Sequence, residues 1–376
     1  MWGNNSHGQL GIIHCSAQHS PQKVTLSGTI IQICCGNTYT LILLKDGSLF
    51  SCGSNEKGQL GLGDYENRTS FTKVPLSNIR QIGCGYYHSM ALTKDDQLYL
   101  WGSSYSGECG KIGISPSPER LVLPSQKNNQ IIQICGGNGI TAILLDDGTV
   151  YCWGTIVDGQ QGRSTDPIKI ETPSPALQLR CGGSFAMCLL SDGSIFVWGC
   201  MGKLDHVDTI FKVPGNIIQL SCGIDFALLL SDDGCVYSFG NAGSNQLGYA
   251  LAGSYTLKPK KIEELSNIVE VMCGNCHALA INADGVLFGW GYNGYGQLGS
   301  SNYRSIRKII CFEIPVKIQH NNMTALISNW PSTHLFFHLF LRMKLETTCV
   351  ALKNVYTLPT ELLVCICQQI LFTFYH

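Results

Sequence analysis

The sequence predicts an all-β propeller, a ring of seven small antiparallel sheets built from one recurring unit. Three marks carry this reading. An aromatic or small residue followed by glycine recurs at Gly3, Gly53, Gly102, Gly154, Gly199, Gly240 and Gly291, at intervals of 50, 49, 52, 45, 41 and 51 residues, so seven units start near residues 2, 52, 101, 153, 198, 239 and 290. A Cys-Gly pair begins at Cys35, Cys84, Cys135, Cys181, Cys222 and Cys273. An Asp-Gly turn has its glycine at Gly47, Gly148, Gly193, Gly234 and Gly285, with Asp96 in the glycine's place in the second unit. The cysteine precedes this turn by 12 residues, or 13 in the third unit, and the turn precedes the next marked glycine by 6 every time. Periods of about 40 to 50 residues in an all-β repeat mark radial blades, because one such sheet cannot bury both faces and copies must stack.

Each mark has a local meaning. In CGNTYTLILLKDGSLFSCG the apolar run Leu41 to Leu44 stops at Lys45-Asp46-Gly47, a tight-turn signal, and a second run resumes at Leu49-Phe50 before Gly53 breaks it. The segments DGTVYCWG, DGSIFVWG, DGCVYSFG and DGVLFGWG repeat the pattern. A loop follows in which a second glycine stands eight residues on, as in Gly3 to Gly11, Gly53 to Gly61 and Gly291 to Gly299. A polar segment, often with a proline such as Pro21, Pro75, Pro124 or Pro214, then leads into an apolar strand such as Ile30 to Ile33 or Ile131 to Ile134. Each unit is thus a sheet of about four strands. The repeated cysteines are expected to be packing residues on the innermost strand, where the wedge tapers and a small apolar side chain fits. Equivalent slots on different blades are expected to stand too far apart for disulfides.

Composition excludes several classes. A formal net charge of -1, a pI near 6.8 and 14% charged residues leave no electrostatic footprint for nucleic acid. No basic-then-apolar leader opens the chain, and no run reaches the roughly 18 apolar residues a membrane helix needs. With 19 cysteines and no export signal, a reducing compartment is expected, cytoplasmic or nuclear, for a monomer with no membrane span.

Two stretches imitate functional motifs. WGYNGYGQLG places Gly294, Gly296 and Gly299 at dinucleotide-loop spacing, but the same loop recurs at Gly8 to Gly11 and Gly58 to Gly61 and no helical period follows, so a structural turn is expected. CGNCH, Cys273 to His277, has the haem-attachment spacing, yet Cys273 and His277 fill positions also held by Cys84 and His88. That slot also holds Tyr39, Phe185 and Phe226, predicting a half-buried ring that, as His or Tyr, satisfies a nearby backbone group. No nucleophile elbow, P-loop lysine, paired acidic motif or second metal pair occurs, so no catalytic, cofactor-binding or metal residue is expected. Sequons at Asn4, Asn67 and Asn322 carry no meaning without secretion.

Units with WGxNxxGQLG, Cys-Gly-x-x-His-[Ser/Thr] and Asp-Gly-x-[Val/Leu/Ile]-[Tyr/Phe]-x-[Trp/Phe]-Gly resemble the regulator of chromosome condensation repeat, whose family fold is a seven-bladed propeller, over residues 1 to about 315. The start, MWGNNSHGQLG, resembles the propellers at the front of HERC-type ubiquitin ligases. The resemblance implies a protein partner, a small GTPase or a ubiquitin-pathway component. Three readings follow from it: a non-catalytic scaffold using rim loops; a nucleotide exchange factor for a Ran-like GTPase, disfavoured by the lack of a wedge insertion and a basic arm; or the substrate-binding front of a ligase whose HECT domain lies elsewhere.

Departures from the pattern set further expectations. Unit five runs CMGKLDHVDTIFKVPG without the Gly-Gln-Leu-Gly loop, which leaves one rim loop short. The seventh unit is degenerate, with Met323 to Ile327 as its inner strand. Because Trp2 lies halfway through a unit, the first strands are expected to pair with residues near 318 to 341 and close the ring. The propeller is placed at 1–345 and a separate tail at 346–376, where Leu358 to Leu363 resembles the opening of an F-box with too little chain after it.

Overall fold

The computed structural model describes residues 1 to 308, apart from 15, 21, 124–128, 157–161, 203 and 299–305. Among these residues stand six four-stranded antiparallel sheets in a ring, each ordered as its strands follow in the chain. The first blade comprises β1 (Ile30–Cys35), β2 (Tyr39–Leu44), β3 (Leu49–Gly53) and β4 (Arg68–Lys73), and the second β5 (Ile79–Cys84), β6 (His88–Thr93), β7 (Leu98–Ser104) and β8 (Gly113–Leu121). The third has β9 (Ile131–Gly136), β10 (Ile140–Leu145), β11 (Val150–Ile156) and β12 (Gly162–Ile170); the fourth has β13 (Ala176–Cys181), β14 (Ser184–Leu190), β15 (Ile195–Met201) and β16 (Leu204–Phe211). The fifth holds β17 (Ile217–Cys222), β18 (Phe226–Ser231), β19 (Val236–Asn241) and β20 (Tyr255–Lys261), and the sixth β21 (Ile268–Cys273), β22 (His277–Asn282), β23 (Leu287–Gly291) and β24 (Arg307–Lys308).

Burial along each blade explains its composition. The second strands, such as YTLILL and ITAILL, are buried at every residue because blades cover both of their faces, so they read as continuous apolar runs. The fourth strands, such as RTSFTK, mix half-buried and exposed residues at the rim. The cores lie between blades. One joins Leu41 and Leu49 of the first to Ile82 and Trp101 of the second; another joins Val197 of the fourth to Leu229 and Phe239 of the fifth. The Asp-Gly turns close as the spacing predicts: Gly47 adopts φ 83°, and the Asp46 carboxylate accepts the Ser48 amide at 2.9 Å. Asp96, at φ 62°, uses its side chain instead. It accepts Arg80 at 2.6 Å while the Ile131 amide donates to it at 3.3 Å, tying the second blade to the third.

The count of complete sheets is six where seven were expected, and the first 22 residues show why. Gly3 exchanges two 2.8 Å backbone bonds with Gln18, and Gln22 donates to the Met1 carbonyl at 2.8 Å. This repeats the bulged register of Gly53 with Arg68 and Ser51 with Thr72, and of Gly240 with Thr256 and Ser238 with Lys260. The segment is therefore the outer half of a blade. It sits between the sixth blade and the first: a side chain at Gly296 would meet His19 and one at Gly8 would meet Thr69, as one at Gly58 would meet Pro116 of the second blade. Residues 318 to 341, expected to supply the inner half, lie outside the described residues, as do Met323 to Ile327, Asn322 and the tail at 346–376. The short loop of unit five is a tight connection in which Met201 pairs with Leu204.

Candidate protein-interaction face

Chain direction sorts the connections onto two faces. The Cys-Gly turns and the long loops after the marked glycines share one face, since the residue after each such glycine donates to the neighbouring turn: Ser54 to Thr38, Ser103 to Tyr87, Asn241 to Asp225 and Tyr292 to Cys276, each at 2.8 Å. The Asp-Gly turns and inter-blade linkers share the other, as in Lys45 to Thr29 and Asp232 to Asn216.

On the loop face the turns bond to one another around the mouth. Asn37 donates to the Tyr86 carbonyl at 3.1 Å, Tyr86 to Gly137 at 2.9 Å, Gly183 to Ile224 at 2.7 Å and Ile224 to Asn275 at 3.0 Å. These backbone bonds pre-organise a floor, so a partner meets an ordered surface. Exposed tyrosines crown it: Tyr65, Tyr87, Tyr105, Tyr292 and Tyr295. Tyr86 and Tyr87 meet edge to face at 5.1 Å, as Tyr292 and Tyr295 do at 6.1 Å, and the Lys57 ammonium stands 5.8 Å from the Tyr105 ring. Burial raises the Tyr86 phenol, with Tyr87, Cys276 and Asp225 adding to the effect, and Asn275 bonds to it. Tyr86 belongs to the second blade and the latter three residues to the fifth and sixth. Asp225 is held up by its own burial and accepts the Gly202 amide at 3.0 Å.

The repeat positions are architectural. A Cβ at Gly36, Gly85 or Gly274 would fall inside the ring of Tyr39, His88 or His277, so the Cys-Gly glycine exists to let that ring lie on the backbone. The slot is fully buried, a correction to the half-buried ring expected: Tyr39 is 1% exposed, His88 0% and His277 2%. The Tyr39 hydroxyl donates to the His88 carbonyl, satisfying backbone as expected, whereas His88 meets the Thr141 hydroxyl at 2.9 Å. Among the described residues neither nitrogen of His277 has a partner. Of the six repeated cysteines, Cys35, Cys84, Cys181, Cys222 and Cys273 are buried and Cys135 is half-buried. The expectation that such slots stand too far apart to meet is corrected at one seam, where the Cys135 and Cys181 sulfurs are 2.8 Å apart.

The loop with Gly294 and Gly296 is a turn held by its own side chains: Asn293 Oδ1 accepts the Leu298 amide at 2.8 Å, as Asn55 does for Leu60 and Asn5 for Leu10 at 2.9 Å. Gly299 lies outside the described residues. The loop's real contact is its glutamine carbonyl. Gln59 accepts the Trp101 indole at 2.9 Å, Glu108 accepts Trp153 at 3.0 Å, and Gln246 accepts Trp290 at 2.9 Å. Gln297 accepts Trp2 at 3.0 Å in the same way. Among the described residues no three His, Cys, Asp or Glu side chains converge for a metal, and no helix is long and apolar enough to cross a membrane.

The fold and its repeated contacts define a propeller of modular blades. The chain matches models of the regulator of chromosome condensation (RCC1) repeat at residues 1–43, 46–92, 233–281 and 284–328, and, for a second model of that repeat, at 30–59, 79–108, 131–160, 217–246 and 268–297. It belongs to that family. It is 31% identical over 331 residues to the human probable E3 ubiquitin-protein ligase HERC4, covering 80% of this chain and 31% of that one. It is 29% identical over 313 residues to the bovine secretion-regulating guanine nucleotide exchange factor, covering 79% of this chain and 60% of that one. The chain thus spans less than two-thirds of either relative. Prp20p from Saccharomyces cerevisiae superposes with a TM-score of 0.71 at 20% identity over 82% of this chain and 84% of that one, a likeness of fold.

The tyrosines, the glutamine carbonyls and the cysteine pair were not singled out from sequence. Tyr86-Tyr87 within Cys-Gly-x-x-His was the available signal, since aromatic residues at a repeat's variable positions have no packing duty.

Proposed function

We propose that this protein is a non-catalytic interaction scaffold that binds a protein partner through its loop face. The carrying observation is the set of exposed tyrosines mounted on a hydrogen-bonded floor, because rigid aromatic side chains give large contact area at small entropic cost and dominate interface energetics. A seventh blade is part of this reading, with residues 1 to 22 as its outer half. Support comes from the bulged register of Gly3 and from the family match that runs through residue 328.

The setting is regulation of a small GTPase or of ubiquitin ligation, as the bovine exchange factor and the human ligase suggest. Exchange activity is the second reading, supported by the greater share of the exchange factor that this chain spans and by the binding of Prp20p to Gsp1p. The third is the front portion of a longer ligase, in keeping with the 31% of the ligase's length that is covered. Residence in the cytoplasm or nucleus fits each setting.

Affinity capture with the intact chain, compared with its Tyr86→Ala/Tyr87→Ala variant, tests the scaffold. A partner retained by the first and weakened about tenfold or more by the variant supports it, the magnitude being that of one aromatic hot spot. Faster release of labelled GDP from a Ran-type GTPase would shift the assignment to exchange. Capture unaffected by the variant would refute the loop face.

A further inference from the structure

The one seam at which equivalent cysteine slots touch has a third component. Cys135 stands one residue before the end of the inner strand of the third blade and Cys181 ends that of the fourth, with their sulfurs 2.8 Å apart, between a disulfide bond of about 2.05 Å and ordinary non-bonded contact. Both are free thiols. Cys135 is half-buried, while Cys181 is 4% exposed. Arg180, adjacent to Cys181 in sequence, is 8% exposed, and its Nη1 donates to the Leu179 carbonyl at 2.8 Å. Burial weighs most on its guanidinium and lowers its pKa; three thiols act against that, Cys135, then Cys222 and Cys181. A fixed cation beside a thiol favours the thiolate, the nucleophilic form.

We propose that Cys135 and Cys181 are an oxidation-sensitive dithiol that closes to a disulfide between the third and fourth blades, with Arg180 holding the attacking thiolate. The oxidant is hydrogen peroxide. The Cys135 thiolate attacks one peroxide oxygen; the O–O bond breaks, a sulfenic acid forms on Cys135, and the departing hydroxide takes up a proton as water. The Cys181 sulfur then attacks the Cys135 sulfur. The S–S bond forms as the S–O bond breaks, and the leaving hydroxide carries off the Cys181 thiol proton as a second water. Two thiols are oxidised by two electrons and one peroxide is reduced. Burial pushes the Cys181 thiol well up, which keeps it protonated until that attack. A second contacting pair, Cys34 and Cys84 at the first seam, has no arginine among the groups acting on it and serves as an internal comparison.

The experiment treats the intact chain with hydrogen peroxide, quenches at intervals by alkylation, and maps linked peptides by mass spectrometry. The Cys135–Cys181 link should accumulate first, vanish in Cys135→Ser, and form about tenfold more slowly in Arg180→Gln, the effect of about one unit of thiol acidity. Arg180→Lys should retain most of the rate, which separates charge from packing if the glutamine variant folds poorly. Linkage of Cys34 to Cys84 at an equal or greater rate, the same rate in Arg180→Gln, or a sulfenic acid that persists on Cys135 without a link would each overturn the proposal.

Discussion

Replacing Glu270 with glutamine should stabilise the ring at neutral pH and leave it little changed in mild acid. The inner strands carry a glutamine at one fixed place, and its amide spans two blades. Gln32 donates to the Ile82 carbonyl and accepts the Ile82 amide at 2.9 Å; Gln219 does the same to Val271 at 2.7 and 3.1 Å; Gln133 accepts the Leu179 amide at 2.8 Å. Glu270 fills this place on the sixth blade, is 0% exposed, and among the described residues has no hydrogen-bond partner for either carboxyl oxygen. Burial lifts its pKa from 4.5 to about 8. The folded chain therefore keeps a proton that the unfolded chain releases, and stability falls as pH rises from about 4.5 to about 8. At 1.36 kcal/mol per pKa unit, the loss by pH 7 is about 3 kcal/mol as an upper estimate. Glutamine, which stays neutral across this range, removes this loss. Urea unfolding of both chains at pH 5 and pH 7 measures it. The gap should reach up to about 3 kcal/mol at pH 7 and shrink towards zero at pH 5. A variant less stable at pH 7, or a gap independent of pH, would show that Glu270 is ionised and paired, and the reasoning would fail.

His277 should act with the opposite sign. Burial lowers its pKa to about 4, so the unfolded chain gains a proton below 6.5 that the folded chain refuses, and stability is lost as pH falls from 6.5 towards 4. His277→Phe, which copies Phe185 and Phe226, should flatten that limb in thermal melts recorded across this range. Trp2→Phe removes the indole donor to Gln297 and should cost about 1 kcal/mol by urea unfolding, more if the carbonyl is left dry. Asp96→Ala places a side chain without a carboxylate at φ 62° and takes from Arg80 its ion-pair partner, leaving it the Thr93 and Ile131 carbonyls, so a loss of about 2 kcal/mol is expected by the same measurement, with Asp96→Gly recovering part of it.

The blades were legible because their marks answer to local physics. A turn after Asp46 needs Gly47, a ring three residues past Gly36 needs bare backbone beneath it, and both needs recur at fixed spacing. The contacts between blades were not legible. Gln219 reads as an ordinary polar residue until its amide is seen against Val271, 52 residues away, and nothing in the chain marks Arg180 as lying among thiols. The slot of His277 was read as half-buried because histidine is polar; packing by both adjacent blades overrides that preference. Rim loops were expected to carry function but which rim was not legible, and the tyrosines that distinguish the loop face fall at positions where the repeat imposes no residue type.

The bond from Trp2 to Gln297 joins residues 295 apart in the chain. A hoop fastened there has no unique weak link among the described residues, for each of the six complete sheets is gripped from both sides. A single nick in a long loop, between 54 and 67 for instance, should leave the halves clasped until denaturant parts them, and old termini joined by a linker should tolerate new ones cut at that loop.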